Sequence, residues 1–515
     1  MSDEQHEVDS RVRSALWAAY GDAIGFVTER VDRDGLRRRI GQDEVSKPVT
    51  WQRRVGGRFG PSVRLPAGTY SDDTQLRLAT ARCIRGDGTF DVGTFAKVEL
   101  PVFRSYALGA GRGTKLAAQH LTNGRVQWHS NFFSSSNMGY LQSGGNGAAM
   151  RIQPHVWTAD DLADPSTYMP ATMRNAVVSH GHPRGWGGAL YYAALLAETL
   201  SAGAVPGPAA WRRIAKELPE LVGVLRADSE LSDLWMPTWE KRAGLTLEGA
   251  LAQTAAELLQ QIGALERATG SRFAEAVDAI GATAPETMGA GTVTTVAAVY
   301  LAWTARDESP AVGLARAANA LGTDTDTIAT MAGALLGVGS DNLPPSEVQD
   351  AAYIRGEAER LGIISRGGHA SSFEHPSLED WVPPKRLKEA AIRTRAGAVE
   401  VRGLGWARAQ VDPRHPERAW VWVTTHFGQS LLIEAQQPSS DGVGPSPAPQ
   451  CLPSAAPPKG SVDELTRQAI ASGFDPRLIG THILQLANHD HAIEVGCAYA
   501  AIILKAKLAR DRRGW

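Results

Sequence analysis

The sequence is poor in cysteine and has no long apolar run. Its three cysteines, Cys83, Cys451 and Cys497, are too few and too widely spaced for a disulfide framework or a zinc knuckle. This usage fits a reducing compartment, and we expect a cytoplasmic protein. No stretch of about 18 apolar residues is present, which argues against a membrane span and membrane partners. The first ten residues are polar and acidic, without the apolar core of a signal peptide.

An excess of charge of one sign is also lacking. The formal net charge is −2 and charged residues make up 21% of the chain. These values exclude a protein that binds polyanions over its whole surface, and they exclude a disordered chain. The length of 515 residues exceeds one ordinary domain, so a large core with appended modules is expected.

Helical periodicity dominates the first two thirds of the chain, from Val12 to about Leu361. Alanine- and leucine-rich stretches, such as residues 187–200, 245–265 and 291–304, alternate with loops that contain glycine and proline. This pattern is typical of an all-α core. We therefore predict a mainly α protein with a compact helical core in residues 1–370.

The composition changes after the predicted core. Residues 406–411, 420–425 and 430–434 alternate apolar and polar side chains and contain β-formers, which predicts three strands, with Phe427-Gly428-Gln429 as a hairpin turn. We expect a small β-rich module at residues 385–435.

A flexible linker and a helical segment are predicted after this module. Residues 436–460 are rich in Pro, Ser and Gly, typical of a linker, and helical patterning returns at 461–515. Modules of this size often bind partners or mediate self-association, so residues 385–515 are candidates for both. The spacing of His482, His489 and His491 fits no zinc site, and we expect these histidines at the surface or in a partner contact.

Two acidic clusters, far apart in the chain, carry the strongest chemical signal. They are Ser71-Asp72-Asp73-Thr74 and Asp324-Thr325-Asp326-Thr327, and each precedes a run of small and apolar residues typical of a helix. Either cluster alone could be a helix cap, but each supplies more acceptors than a cap needs. If the clusters meet, four partly buried carboxylates must take up protons or hold cations. All-oxygen ligands suit Mg²⁺ or Mn²⁺.

Three further motifs accompany the acidic clusters. They are G-D-A-I-G-F-V-T-E at 21–29, G-N-G-A-A-M-R-I at 145–152 and S-H-G-H-P at 179–183. Together with S-D-D-T at 71–74 and G-T-D-T-D-T-I-A at 322–329, and in this order, they resemble the ADP-ribosylglycohydrolase family over residues 10–345. The resemblance implies a compact all-helical core with two divalent metal ions, Mg²⁺ or Mn²⁺, at its centre. It also implies cleavage of the glycosidic bond between ADP-ribose and an acceptor.

The resemblance also implies roles for individual residues. The implied metal ligands are Ser71, Asp72, Asp73, Asp324, Asp326 and Thr327. The implied substrate-binding residues are Ser143, Gly144, Gly145, Asn146 and Gly147 for the phosphates and distal ribose, and His180 beside the substrate. Glu29 matches a mobile glutamate that reaches the metals and the scissile bond. Glu29 and Asp73 are therefore the two candidates for acid–base catalysis, and the sequence does not divide the roles between them.

Two positions depart from the family pattern. Ser71 stands where threonine is usual, which keeps the hydroxyl group, and Thr323 stands where a second glycine is usual. Every charged ligand position is filled, which favours an active enzyme over an inactive ADP-ribose-binding or structural protein on the same fold. A metal-dependent phosphoesterase is a further alternative, and the glycine–asparagine loop argues against it. The substrate is expected to be an ADP-ribosylated protein, nucleic acid or small molecule, with the acceptor left open.

Residues 33–64 are rich in arginine. This segment contains nine Lys or Arg residues against three acidic residues, together with Trp51 and Phe59. Because it connects Glu29 to Ser71, we expect it to border the site. It could contact the pyrophosphate or the macromolecule that carries it, or it could be a solvated loop.

Overall fold

The structure is a computed structural model, and it describes residues 3–57, 59–268, 270–393, 398–410, 420–434, 462–487 and 492–512. The predicted linker at 436–460 lies outside these described residues, as do Arg58, Cys451, His489 and His491. Within the described part of the chain, no helix has both the length and the apolar character needed to cross a membrane.

Helices make up most of the protein. Those of eight or more residues are α1 (Asp3–Gly25), α2 (Arg33–Ile40), α3 (Asp72–Arg82), α4 (Arg112–His120), α5 (Met169–Val177), α6 (Pro183–Ala202), α7 (Pro208–Glu217), α8 (Met236–Ala243), α9 (Leu247–Arg267), α10 (Gly291–Thr304), α11 (Pro310–Ala318), α12 (Thr325–Gly339), α13 (Ala351–Ser365), α14 (Val462–Ala471), α15 (Pro476–Leu486) and α16 (Ala492–Arg512). Shorter α-helices include Gln153–Thr158, Leu221–Ala227 and Phe273–Asp278.

Helix α12 runs through the centre of the core and packs against α1, α10 and α11. Its residues from Thr325 to Val338 are buried, as expected for a helix with apolar or small side chains on every face. Glycines let α1 approach α12 closely. A Cβ on Gly21 would lie 2.3 Å from the Ala329 carbonyl oxygen, and one on Gly25 would lie 2.5 Å from Asp326 Cα. The end of α1 is therefore held against the acidic first turn of α12.

The strands form two antiparallel sheets. Strands β1 (Trp51–Arg54) and β2 (Ser62–Leu65) make a hairpin within the arginine-rich segment. Strands β3 (Ala391–Arg393), β4 (Ala398–Val401), β5 (Gly405–Gln410), β6 (Trp420–Thr425) and β7 (Ser430–Glu434) form a five-stranded sheet in sequential order. The expected mainly α fold with a small β-rich module and a helical C-terminal segment is confirmed.

A buried ion pair connects the helical core to the five-stranded sheet. Both Glu99 oxygens accept hydrogen bonds from Arg82, at 2.7 and 2.9 Å, and both side chains are fully buried. Arg82 also donates to the Gln429 side chain, which lies just before β7, at 2.7 Å. His375, from the connector before the sheet, lies 2.9 Å from Glu99. A buried pair held at both ends by further polar groups favours one fixed docking of the sheet.

The C-terminal helices also contact the core. Arg510 of α16 donates to Asp233 at 3.0 Å, and Arg467 of α14 lies 3.8 Å from Glu230. The predicted surface position of His482 is wrong, because this side chain is buried and its Nδ1 lies 2.6 Å from the Tyr499 hydroxyl. The packing of α15 against α16 covers it.

Candidate active site

The loop after α1 and the first turns of α3 and α12 meet at a pocket of about 180 Å³. The sequence-predicted site residues that line it are Glu29, Asp72, Asp73, Ser143, Gly145, Asn146, Gly147, His180, Asp324, Asp326 and Thr327. Ser71 and Gly144 are not among the residues that line the pocket. Arg30, Arg112 and Thr114 also line the pocket. They were not predicted, because no motif includes them as site residues.

In the first acidic cluster, the carboxylates of Asp72 and Asp73 line the pocket, and other groups cap the start of α3. Ser71 Oγ accepts a hydrogen bond from the Asp73 amide at 3.2 Å. Asp22 accepts from the Ser71 amide at 2.8 Å, the Thr74 amide at 2.9 Å and the Thr74 hydroxyl at 2.6 Å. The orphan amides of the first turn are thus largely satisfied without Asp72. Asp73 Oδ2 is buried, and no described residue donates a hydrogen bond to it.

Asp22 is a further residue that sequence reasoning did not single out, although it stands inside the motif at 21–29. We expect Asp22→Asn to destabilise the start of α3, because an amide NH₂ group would face backbone N–H donors. One such unsatisfied group costs about 1–3 kcal/mol. Thermal melting measures the effect, with exposed Asp34→Asn as the matched control. Equal melting temperatures for the two variants would contradict this role.

The second cluster is held by contacts from two other parts of the chain, the glycine loop at 143–147 and the segment at residues 25–28. Asp324 Oδ2 accepts a hydrogen bond from Asn146 Nδ2 at 2.8 Å. The Thr325 hydroxyl donates to the Gly25 carbonyl at 2.9 Å, and the Thr28 hydroxyl lies 3.1 Å from that of Thr325. These bonds fix the first turn of α12 relative to α1 and to the glycine loop.

The carboxylates repel one another in this buried setting. Burial, more than any other cause, raises the pKa values of Asp73 and Asp326 well above the usual range, and neighbouring carboxylates raise them further. Burial likewise raises the pKa of Asp72 to about 7. Such groups must bind protons or be balanced by cations. The unpartnered Asp73 oxygen and the all-oxygen donor set fit hard divalent cations.

A second cluster of possible ligands, Cys83, Glu99 and His375, has donor atoms within 4.8 Å of one another. Its chemistry is unsuited to a cation because both oxygens of Glu99 are already bonded to the guanidinium of Arg82. Burial also raises the pKa of the Cys83 thiol well above its usual value, which keeps it protonated. This cluster is better explained as part of the junction between core and sheet.

The glycine loop at 143–147 lies beside the second acidic cluster, and its close packing requires small residues. A Cβ on Gly147 would lie 2.9 Å from the Thr114 hydroxyl and 3.1 Å from His180 Cε1. Gly144 supports the loop from behind, where its carbonyl accepts a hydrogen bond from the Gly291 amide at 3.1 Å. The Ser143 hydroxyl is buried and has no hydrogen-bond partner among the described residues. It is available to a ligand in the pocket.

His180 is a neutral donor beside this loop. Ser179 Oγ accepts a hydrogen bond from Arg151 Nη2 at 2.9 Å and lies 2.9 Å from His180 Nδ1. We assign the Ser179 proton to this second contact, because the hydroxyl would otherwise be a buried donor without an acceptor. Burial, with Arg151 nearby, lowers the pKa of His180 to about 3. The neutral ring then carries its proton on Nε2, beside Gly147.

Comparison with known proteins agrees with the motifs. Residues 4–369 match the sequence model of the ADP-ribosylglycohydrolase family. The chain belongs to this family. The resemblance inferred from the five motifs is therefore confirmed.

Two curated relatives match shorter stretches of the chain. The chain is 26% identical over 176 residues to the ADP-ribosyl-[dinitrogen reductase] glycohydrolase of Rhodospirillum rubrum, a match that covers 34% of this chain and 52% of the relative. It is 26% identical over 157 residues to the ADP-ribosylarginine hydrolase Tri1 of Pseudomonas putida (strain GB-1), covering 29% of this chain and 36% of that protein. The matches thus span about half of the first relative and about a third of the second.

A solved structure titled ADP-ribosylglycohydrolase-related protein complex is also similar. It shares 23% sequence identity with a TM-score of 0.43, and the match covers 70% of this chain and 99% of that chain.

Proposed function

We propose that this protein hydrolyses the glycosidic bond between ADP-ribose and a protein side chain, with two divalent cations, Mg²⁺ or Mn²⁺, held by the two acidic clusters. The observation that carries the proposal is the convergence of Asp72, Asp73, Asp324 and Asp326 on one pocket with the glycine loop. The names of the two relatives support a protein substrate, with arginine as the first acceptor to test.

The groups that line the pocket would have different roles in the proposed reaction. Bound cations would orient ribose hydroxyls and activate a water molecule. The ligands would be the clustered carboxylates, with Thr327 beside them. The Ser143 hydroxyl and the neutral His180 ring would donate hydrogen bonds to phosphate or ribose oxygens, and glycines would let backbone amides approach the pyrophosphate.

Glu29 is the proposed acid–base residue. Burial raises its pKa, and the neighbouring Asp324 raises it further while Arg53 lowers it. A carboxyl group with a raised pKa is suited to donate a proton to the leaving group as the glycosidic bond breaks. Asp73 lies deeper, among the proposed ligands, where a cation would compete for its lone pairs.

A panel of modified acceptors tests this function. Purified full-length protein is incubated with proteins ADP-ribosylated on arginine or serine, with ADP-ribosylated nucleic acid and with small ADP-ribosyl conjugates, each with Mg²⁺, Mn²⁺ or chelator. We expect intact ADP-ribose to be released from the arginine-linked protein only when metal is present, as seen by mass spectrometry. Release of AMP would instead support a phosphoesterase. Binding of ADP-ribose without release from any acceptor would support an inactive binding protein.

A further inference from the structure

The hairpin of β1 and β2 brings an arginine to the carboxylate of Glu29. Arg53 Nη1 lies 3.6 Å from Glu29 Oε2, and Arg30 Nε lies 3.2 Å from Oε1. The Arg30 side chain is 75% exposed, so solvent screens its ion pair. The side chains of Arg53 and Glu29 are 26% and 13% exposed. The pair with Arg53 therefore has the greater influence on where the carboxylate lies.

Aromatic rings restrict the Arg53 side chain. Its guanidinium lies 4.4 Å from the centre of the Phe26 ring and 5.9 Å from that of Trp51. Contacts of this kind stabilise a cation in one position. Alternation along β1 places Trp51 and Arg53 on the inner face and leaves Arg54 exposed on the outer face. Two adjacent arginines on one strand thus have different surroundings, and they form a matched pair for experiment.

Other contacts hold the backbone around Glu29 together with Arg53. Arg39 of α2 donates to the Val27 carbonyl at 2.6 Å, and the Thr28 hydroxyl lies 3.1 Å from that of Thr325. The main chain is thus tied to α2 on one side and to the second acidic cluster on the other. These bonds do not determine the side-chain conformation of Glu29. Arg53 contacts that side chain and also packs on Phe26, so it acts on the carboxylate and on the segment that carries it.

The appended five-stranded sheet supports the hairpin from outside. Trp422 Nε1 of β6 donates to the Arg64 carbonyl at 3.2 Å, and Arg64 pairs with Gln52, the neighbour of Arg53. At the tip of the hairpin, a Cβ on Gly56 would lie 3.2 Å from the Trp420 ring. A chain of direct contacts therefore runs from the sheet through the hairpin to the pocket.

We propose that Arg53 is a positioning residue for Glu29, and that Trp422 of the appended sheet holds the hairpin that carries Arg53. This inference rests on the proposed function, because it assigns Glu29 a task in hydrolysis. It gives the appended sheet a role in the active site of its own chain.

Kinetics of Arg53→Gln and Arg54→Gln test the first step. We expect Arg53→Gln to lower kcat by about 10- to 100-fold, the usual cost of a misplaced catalytic group, with little change in KM. Arg54→Gln should keep the wild-type kcat, and Arg53→Lys should recover part of the loss. In a Glu29→Gln background, Arg53→Gln should have no further effect, because residues that act through one group are not additive. Full additivity would overturn the proposal.

Hydrogen exchange of the metal-free protein tests the same contacts without any turnover. We expect faster exchange of the amides of residues 27–31 in Arg53→Gln but not in Arg54→Gln. Trp422→Phe, which removes only the indole N–H and keeps an aromatic ring, should speed exchange in residues 62–65 and 27–31. Unchanged exchange in both Arg53→Gln and Trp422→Phe would overturn the inference. A wild-type protein that releases no ADP-ribose yet shows these changes would instead refute the proposed function alone.

Discussion

Asp326→Asn should abolish hydrolysis and leave the fold intact. The amide has nearly the shape of the carboxylate but lacks the charge that would hold a cation between α3 and α12. Because such cations supply several kcal/mol of transition-state stabilisation, kcat/KM should fall by about 10³-fold or more. The variant should also melt no lower than wild type without metal, since the substitution removes one of several repelling carboxylates.

The measurement pairs ADP-ribose release with metal content from elemental mass spectrometry. Asp341→Asn is the matched control, because Asp341 is exposed and lies just beyond the other end of α12. Wild-type turnover together with an unchanged metal content in Asp326→Asn would mean that the clusters are not the cation site.

Glu29→Gln should separate acid–base chemistry from metal binding. We expect kcat to fall by about 10²- to 10⁴-fold, the range for loss of a general acid or base, while metal content and ADP-ribose affinity stay close to wild type. The reason is that Glu29 stands on the loop after α1 and belongs to neither of the two acidic clusters that are the proposed cation ligands. Stopped-flow or quenched turnover assays and isothermal calorimetry measure the two properties separately. The exposed Glu44→Gln is the control variant.

The Glu29→Gln variant also tests whether Glu29 or Asp73 is the acid–base residue. If Asp73 were the acid–base group, Glu29→Gln would keep near-normal turnover, whereas Asp73→Asn would lose turnover and metal together. Normal turnover in Glu29→Gln would also remove the basis for assigning Arg53 a positioning role.

The long helices and the acidic clusters could be predicted from the sequence because their signals are local. Helix α12 has small and apolar residues throughout after an acidic start, and β6 and β7 are rich in aromatic, β-branched and aliphatic residues. The hairpin of β1 and β2 was not predicted. Each strand has only four residues and lies in an arginine-rich segment, so the alternation of apolar and polar side chains is too short to recognise.

Tertiary contacts explain the other differences. Asp22 caps a helix that begins 50 positions later in the chain, at Asp72, and no local pattern contains that information. His482 is buried only because α16 places Tyr499 against it. Arg53 is connected to Glu29 by a strand that returns to the end of α1. In each case the partner is distant in sequence, and the residue type alone favours a surface position.

Manganese anomalous diffraction from crystals of the full chain tests most directly whether the two acidic clusters form one cation site. We predict anomalous peaks within oxygen-ligand distance, about 2.0–2.3 Å, of Asp73 and of Asp326, and their loss in Asp326→Asn crystals. Crystals soaked in manganese that show no peak between α3 and α12, or a peak only beside Cys83, Glu99 and His375, would contradict the claim.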